Sequence, residues 1–219
     1  MIIKSLHDWP STTKDARQIQ DTFCKRVIRS SKISKVSLVA GVDIGFENQG
    51  KISRAAIVIL SYPELELIEK QITRVKTTFP YIPGYLSFRE IPAALKAFEK
   101  LQNVPDIILC DGQGIAHPRR FGLACHLGLW TDLPTIGVAK SRLIGVYDEP
   151  GNRKGNWTPL MDKDELIGAV LRTRDNVSPV YVSIGHKTDL KTAIKYTLGC
   201  TTKYRLPETT RWAHKLASG

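Results

Sequence analysis

The sequence predicts a mixed α/β fold, in which an antiparallel meander of three strands joins parallel strands in one sheet flanked by helices. Three strand-like runs come first, and their short connections contain Gly, Asn or Pro-Glu, as antiparallel hairpins do. An amphipathic helix follows and leads into a short continuous apolar run, which is typical of a strand buried on both faces. A helix between two strands is the usual crossover that makes those strands parallel.

The first half of the chain supplies an N-terminal helix, the meander and the crossover helix. Apolar residues from Ala16 to Val27 recur at helical spacing and predict a helix over Thr13–Arg29. The next helix is expected to begin at a proline, because proline is favoured at the first helical position. The three strands and this second helix are predicted at Val36–Ile44, Ala55–Ser61, Leu65–Val75 and Pro92–Gln102.

The second half continues the same alternation of strands and helices. Short apolar runs predict strands at Asp106–Asp111, Thr135–Ala139, Leu166–Thr173 and Val180–Ile184. Helices are predicted near Phe121–Trp130, Leu190–Leu198 and Glu208–Ala217, and the polar, Gly-rich stretch Asp148–Asn156 is predicted to be a surface loop. No shift in composition divides the chain, so residues 1–219 are expected to form a single domain.

Composition and charge favour a basic protein with an anionic partner. The 219 residues include 32 Lys and Arg against 21 Asp and Glu, a formal net charge of +11. Nucleic acid is the commonest partner of such a protein, although charge alone does not separate DNA from RNA. The sequence contains neither a signal peptide nor an apolar run long enough for a membrane span, and its four cysteines are widely spaced. We therefore expect a reduced, cytoplasmic protein with no membrane partner.

Two carboxylates are predicted to meet at one edge of the sheet. Asp43 ends the first apolar run, and Asp111 ends the first buried strand after the crossover helix. Residues that leave central strands at their carboxyl ends converge on one crevice, where a divalent ion such as Mg²⁺ or Mn²⁺ would relieve the repulsion between carboxylates. The alternative is that each Asp only begins a turn, since Asp111-Gly112 is a turn dipeptide in any context.

A stiff aromatic segment precedes the second helix. In Phe79-Pro80-Tyr81-Ile82-Pro83-Gly84 the prolines restrict the backbone on both sides of Tyr81, and Gly84 permits a turn or a close approach to a ligand. On a basic protein, such an aromatic residue is suited to fill the gap that a base leaves in the stack. A Pro-rich bend with Tyr81 lying on the surface explains the same pattern.

Further polar groups follow the two predicted strand ends. Gly112 and Gly114 leave room for main-chain contacts to a flat ligand, and His117 precedes a helix whose start favours phosphate. Lys140 ends its strand much as Asp111 does, where an ammonium group beside a metal could stabilise an anionic transition state. Simple turns, and a solvated lysine, are the alternatives.

Five blocks of the sequence together resemble the endonuclease V family, the deoxyinosine-specific nucleases, in its bacterial and thermophilic form. They occur in the order of that family and extend over nearly the whole chain: Ala40–Phe46, Pro80–Glu90, Asp111–Gly128, Pro134–Leu143 and Arg205–His214. The resemblance implies a ribonuclease-H-like fold, which agrees with the meander, helix and strand order read from the residues themselves.

The resemblance also implies roles for individual residues. Asp43 and Asp111 would be direct Mg²⁺ ligands and Glu90 a more distant or water-mediated one, while Lys140 matches the catalytic lysine and His214 a position near the metal. The wedge that replaces the extruded base corresponds to Tyr81 and its neighbours Pro80, Ile82 and Pro83. The hypoxanthine pocket corresponds to Gly84, Leu86, Gly112, Gly114 and Leu123, with His117 beside it.

The function implied is a Mg²⁺-dependent repair endonuclease, with Mn²⁺ able to substitute. It would flip deoxyinosine into the pocket and nick the same strand at the second phosphodiester bond on the 3′ side, as a monomer. Two alternatives stay open: an endoribonuclease specific for inosine in RNA, and a non-catalytic sensor of deaminated or single-stranded DNA.

Overall fold

A mixed sheet of eight strands forms the centre of the computed structural model, which describes Met1 and residues 3–219. The strands are β1 Leu38–Glu47, β2 Ile52–Ser61, β3 Leu67–Lys76, β4 Ile107–Cys110, β5 Thr135–Ala139, β6 Trp157–Asp162, β7 Glu165–Leu171 and β8 Val180–His186. Their order across the sheet is β3-β2-β1-β4-β5-β8-β7-β6.

The pairing confirms the predicted meander and the predicted parallel strands. β1 pairs with β2 and β2 with β3 in antiparallel fashion, whereas β1 with β4 and β4 with β5 are parallel. The β1–β2 hairpin closes with a tight turn, in which Asn48, Gln49 and Gly50 all have positive φ. The remaining strands, β5, β8, β7 and β6, pair antiparallel in that order.

Helices cover both faces of the sheet. They are α1 Thr13–Phe23, α2 Leu86–Phe98, α3 Leu123–Thr131, α4 Leu190–Gly199 and α5 Glu208–Ser218. Buried apolar residues of α2 and α3 pack on one face, and those of α4 and α5 pack on the other. α1 lies outside this core, where Ala16 packs against Phe79 and Phe88. None of the helices described is long and apolar enough for a membrane span.

The crossover helix begins earlier than the sequence predicts. α2 starts at Leu86, so Pro92 lies inside it and not at its first position. Proline has no N–H to donate to the carbonyl four residues earlier, here that of Phe88, but a helix can tolerate that loss by bending. The earlier start places Glu90 on the helix, with its side chain in the protein interior.

Other elements also differ from the prediction, most clearly in three places. α1 ends at Phe23 and gives way to a short 3₁₀ turn, Cys24–Arg26, so the predicted helix to Arg29 is too long. β1 continues to Glu47 because β2 pairs with it along its full length. The edge strand β6 is absent from the prediction because it contains Pro159, and a proline within a run counts against a strand.

Candidate metal centre and nucleotide cavity

The alternation of β1 brings Asp43 against helix α5. Gly41, Asp43 and Gly45 point to the same face of the strand, and a side chain on either glycine would collide with the backbone of α5. The Cβ of an alanine at Gly41 would lie 2.1 Å from the Thr209 carbonyl oxygen. The two glycines therefore let α5 approach closely, so that His214 Nδ1 lies 2.7 Å from Asp43 Oδ2.

Asp111 and Lys140 follow neighbouring parallel strands and form an ion pair. Asp111 comes directly after β4 and Lys140 directly after β5, and the Lys140 Nζ lies 2.5 Å from Asp111 Oδ2. The parallel pairing of β4 with β1 ends at Val42, so Asp43 is the next residue of β1 at the same edge. Asp43 therefore lies inside β1 and not at its end, at the level where the neighbouring strand β4 ends.

These side chains form a group that could hold a metal ion. Among the described residues, ligand atoms of Asp43, Asp111 and His214 all lie within 4.8 Å of one another. Burial raises the pKa of Asp111, and the charge of Asp43 adds to this increase, while the Lys140 ammonium opposes it. The two carboxylates suit Mg²⁺ or Mn²⁺, which prefer oxygen ligands, and the positive ion would counter the repulsion from Asp43 that adds to the raised pKa of Asp111.

Glu90 lies near this group without being part of it. It reaches the site from α2, on the other face of the sheet, and is 8% exposed. Burial first, and then the charges of Asp43 and Asp111, raise the pKa of Glu90 well above its ordinary value, although Arg89 opposes this. A buried carboxyl group in such a field ionises readily only when a positive charge is added nearby.

A cavity of about 350 Å³ opens beside the ion pair. Asp111 and Lys140 form part of its wall, so the carboxylate group and the cavity belong to one site. Most of the residues assigned to the wedge and base pocket also line it: Tyr81, Pro83, Gly84, Leu86, Gly112, His117 and Leu123. Other lining residues have no counterpart in the sequence assignments: Ser87, Gln113, Phe121, Gly122, Ala139, Ser141, Arg142 and Leu143.

Three of the assigned residues do not line the cavity. Gly114 lies behind its wall, where a Cβ atom would be 2.0 Å from the Ile184 carbonyl oxygen, so the glycine serves close backbone packing. Ile82 packs against the cluster that contains Phe79 and Phe88, and Pro80 is exposed. Pro80 and Ile82 thus flank Tyr81 without entering the cavity.

Tyr81 projects from an anchored segment at the cavity rim. Its side chain is 69% exposed, whereas Phe79 on one side is buried and Gly84 on the other makes a turn with φ +80°. Arg89 Nη1 donates to the Phe79 carbonyl at 2.8 Å, which fixes the beginning of the segment. The exposed ring is therefore carried on a backbone held at both ends.

The first turn of α2 forms part of the cavity wall. No side chain caps this helix, and both Leu86 and Ser87, its first two residues, line the cavity. The N–H groups at the start of a helix have no partner within the helix, so they are available to a ligand carbonyl. No pattern in the sequence pointed to Ser87, because the prediction began the helix six residues too late.

Two lysines of the segment between α1 and β1 lie at the amino ends of the parallel strands, opposite the candidate metal site. Lys32 and Lys35 line a separate cleft together with Asp106 and Pro134, which directly precede β4 and β5. Asp111 and Lys140 follow those same strands, about 13 Å away for a strand of four residues. Lys32 and Lys35 are not part of the cavity wall.

Comparison with known proteins gives the same family over almost the entire length. The family model described as endonuclease V matches residues 21–215. An endonuclease V from Rippkaea orientalis is 61% identical over 218 residues, covering 100% of this chain and 95% of the relative.

Solved structures agree with the sequence match. The crystal structure of endonuclease V from Streptomyces avermitilis superposes with a TM-score of 0.91 at 44% identity, covering 95% of this chain and 92% of that chain. Endonuclease V from Ciona intestinalis, solved with a 24mer DNA containing an inosine followed by a ribo-adenosine, gives 0.83 at 33% identity and covers 93% and 95%. The fold is ribonuclease-H-like, and the chain belongs to the endonuclease V family.

Proposed function

We propose that the protein is a Mg²⁺-dependent endonuclease that recognises deoxyinosine in DNA. It nicks the strand that carries the lesion at the second phosphodiester bond on the 3′ side, leaving a 5′-phosphate. One observation carries the proposal: the group of Asp43, Asp111 and His214 shares Asp111 with the wall of a cavity large enough for a purine base. The Ciona relative bound to inosine-containing DNA supports it.

Base recognition falls to the main chain at the start of α2. Hypoxanthine carries a carbonyl group where adenine carries an amino group. The N–H groups of Leu86 and Ser87 can donate to that carbonyl, whereas the amino group of adenine would leave them without an acceptor. An enclosed site rejects a substrate that leaves its polar groups unpaired, so adenine is disfavoured.

Tyr81 occupies the place of the flipped base. Because the ring is 69% exposed on an anchored segment, it can enter the duplex with little rearrangement of the backbone. Unstacking a base costs a few kcal/mol, and contact of the ring with the neighbouring bases offsets part of that cost.

The residues at this site fit a divalent metal ion. Asp43 and Asp111 would hold Mg²⁺ directly, with His214 beside them and Glu90 acting through water or as a more distant ligand; Mn²⁺ would substitute. When bound, such an ion supplies activation of water and neutralises charge that develops on the phosphate. Lys140 adds a second positive charge, which Asp111 holds at the cavity wall.

The carboxylates provide the decisive test of this proposal. We expect Asp43→Ala and Asp111→Ala each to reduce nicking of a duplex with one deoxyinosine by on the order of 10³-fold, because each removes a ligand of the ion. The assay is run with and without Mg²⁺, and the cut position is mapped on a sequencing gel. The exposed Asp164→Ala, remote from the group of three, is the matched control. Near-normal nicking by both variants would contradict the metal site.

A ribonuclease acting on inosine in RNA is the second candidate. The observation that favours it is the ribo-adenosine that follows the inosine in the substrate bound by the Ciona relative. Cleavage of matched DNA and RNA strands with one inosine each decides between them, since only contacts to the 2′-hydroxyl separate the two.

A non-catalytic sensor of deaminated DNA is disfavoured by the buried Glu90 and its two carboxylate neighbours. A protein that only binds phosphate gains nothing from three acidic groups at its binding edge. Binding in Ca²⁺ without nicking in Mg²⁺ is the result that a sensor would give.

A further inference from the structure

The carbonyl oxygen of Gly84, at the cavity wall, accepts three hydrogen bonds. Arg119 Nη2 donates at 2.7 Å, His117 Nε2 lies at 3.0 Å, and Gln20 Nε2 donates at 3.0 Å. His117 and Arg119 come from the turn before α3, but Gln20 comes from α1, outside the sheet and its covering helices. Three donors on one carbonyl fix the turn that follows Tyr81.

Gln20 uses all of its polar atoms to connect three segments. Its side chain is fully buried, and its Nε2 also lies 3.4 Å from the Phe121 carbonyl, a second residue of the cavity wall. Its Oε1 accepts a hydrogen bond from Arg119 Nε at 2.5 Å. The partners fix the orientation of the amide, because carbonyl groups require the NH₂ side and the guanidinium requires the oxygen.

The hydrogen bonds of Gln20 reach two different parts of the cavity wall. Gly84 lies at its wedge side and Phe121 precedes α3, so Gln20 fixes the separation of these two parts of the wall. Arg119 is in turn stacked over the Tyr85 ring at 4.3 Å, which connects the same network to the start of α2.

We infer that Gln20 is a positioning residue that sets the selectivity of the base pocket from outside it. This inference rests on the proposed function. A fully satisfied buried network allows one arrangement, whereas loss of one member leaves buried groups unpaired and lets the wall relax. Relaxation costs discrimination, because a wider pocket no longer forces the wrong base to leave its polar groups unsatisfied.

Two near-isosteric substitutions test the inference. Gln20→Glu keeps the acceptor for Arg119 but removes both donated hydrogen bonds, and Gln20→Met removes all of them. The matched control is Gln18→Glu, which makes the same chemical change on the exposed side of the same helix. Thermal unfolding is measured first for each variant, so that binding is compared between folded proteins.

Binding in Ca²⁺ is then measured for three duplexes that carry deoxyinosine, deoxyadenosine or an abasic site at one position. We expect both Gln20 variants to lose about tenfold in affinity for the deoxyinosine duplex, the effect of about one buried hydrogen bond. Affinity for the other two duplexes should stay within about twofold, because neither places hypoxanthine in the pocket. A 2-aminopurine next to the lesion should brighten less on binding than with the wild-type protein.

Equal losses on all three duplexes would assign Gln20 a general structural role and overturn the inference, as would unchanged affinity for deoxyinosine. If both Gln20 variants unfold, Arg119→Lys removes the guanidinium contact with Gln20, together with its hydrogen bond to Gly84, and must reproduce the selective loss. A wild-type protein that does not nick the deoxyinosine duplex in Mg²⁺ contradicts the proposed function; one that does, with Gln20 variants that keep full selectivity, contradicts this inference alone.

Discussion

His117 is held as a neutral ring by the two hydrogen bonds it makes. Its Nε2 lies 3.0 Å from the Gly84 carbonyl, which can only accept, and its Nδ1 accepts from the Arg119 N–H at 3.2 Å. Burial, followed by the charge of Arg119, lowers the pKa of His117 to about 4. The imidazole therefore contributes a donor to the Gly84 turn throughout the neutral range.

His117 should make the stability of the protein depend on pH on the acid side of neutrality. A histidine with a lowered pKa in the folded state contributes stability that is complete above about pH 6.5 and is lost as the pH falls to about 4. We expect His117→Gln, which keeps a donor for Gly84, to remove up to about 3 kcal/mol of this pH dependence. Urea unfolding of both proteins at about pH 7.5, 5.5 and 4.5, values that cover most of the range between about 6.5 and 4, measures it. Parallel curves for the two proteins would be the contrary result.

The exposed ring of Tyr81 should matter for the lesion and little for the fold. We expect Tyr81→Ala to change the free energy of unfolding by less than about 0.5 kcal/mol, because the side chain is 69% exposed. Its affinity for a deoxyinosine duplex should fall by about tenfold, the value of one lost stacking contact, while affinity for ordinary DNA stays the same. Equal losses on both duplexes in a gel-shift titration would argue against a wedge.

Residue types and their positions in the sequence predict part of the site. The other site residues contact partners that are far away in the sequence, so they cannot be predicted in this way. Asp43, Asp111 and Lys140 could be proposed because each follows or ends an apolar run. Gln20 could not, because its partners Gly84 and Arg119 are 64 and 99 positions away and its own surroundings read as an ordinary helix. The family resemblance drew attention to His214, which is 171 positions from Asp43.

The contact of β1 with α5 depends on two glycines. A Cβ at Gly45 would lie 2.2 Å from the Ala217 carbonyl oxygen, and one at Gly41 would meet Thr209 in the same way. Because these contacts are with backbone, the helix itself would have to move. Any such movement would separate His214 from Asp43.

We expect Gly45→Ala to destabilise the protein by about 2 kcal/mol or more, as overpacking of a close element contact does. Nicking by the fraction that remains folded should also fall, because His214 is displaced. Ser218→Ala, at the exposed end of the same helix, is the control and should change stability by less than about 0.5 kcal/mol. Denaturant unfolding and single-turnover nicking measure the two effects; a Gly45→Ala protein of unchanged stability would show that α5 adapts.

Periodicity predicts the apolar central strands and also the alternating edge strand β3, but it does not predict the other edge strand, β6. Strands β1, β2, β4, β5, β7 and β8 are apolar enough to be read directly, because they are buried. Edge strand β6 is partly exposed and contains Pro159, so its short run does not give the pattern of a strand. The start of α2 was missed for a different reason: Pro92 is a helix-start residue by preference, and only the packed surroundings allow it inside a helix.

Basic side chains lie at both ends of the central parallel strands of this protein, whose net charge is +11. Lys140 and Arg142 lie at the cavity, whereas Lys32 and Lys35 line the cleft at the opposite edge. Affinity for DNA should fall with salt, since each phosphate contact releases a counterion. Removing basic side chains at one end or the other, and measuring how DNA affinity depends on salt, therefore shows which end contacts the DNA.

We expect Arg142→Gln to reduce the slope of log affinity against log salt by about 1, because it removes a cation at the cavity mouth. The double variant Lys32→Gln and Lys35→Gln, which changes more charge, should leave the slope unchanged. Fluorescence anisotropy titrations at several salt concentrations measure both. A reduced slope in the double variant would show that DNA also contacts the cleft lined by Lys32 and Lys35.

The position of the carboxylates in the middle of the sheet has a consequence for how the protein can change. β1, β4 and β5, which carry Asp43, Asp111 and Lys140, are the central strands, and their amide protons should exchange with solvent only when the whole molecule unfolds. Insertions are tolerated in exposed connections and not in such strands. New substrate preferences would therefore arise in the loops around the cavity mouth, while the candidate metal centre stays fixed beneath them.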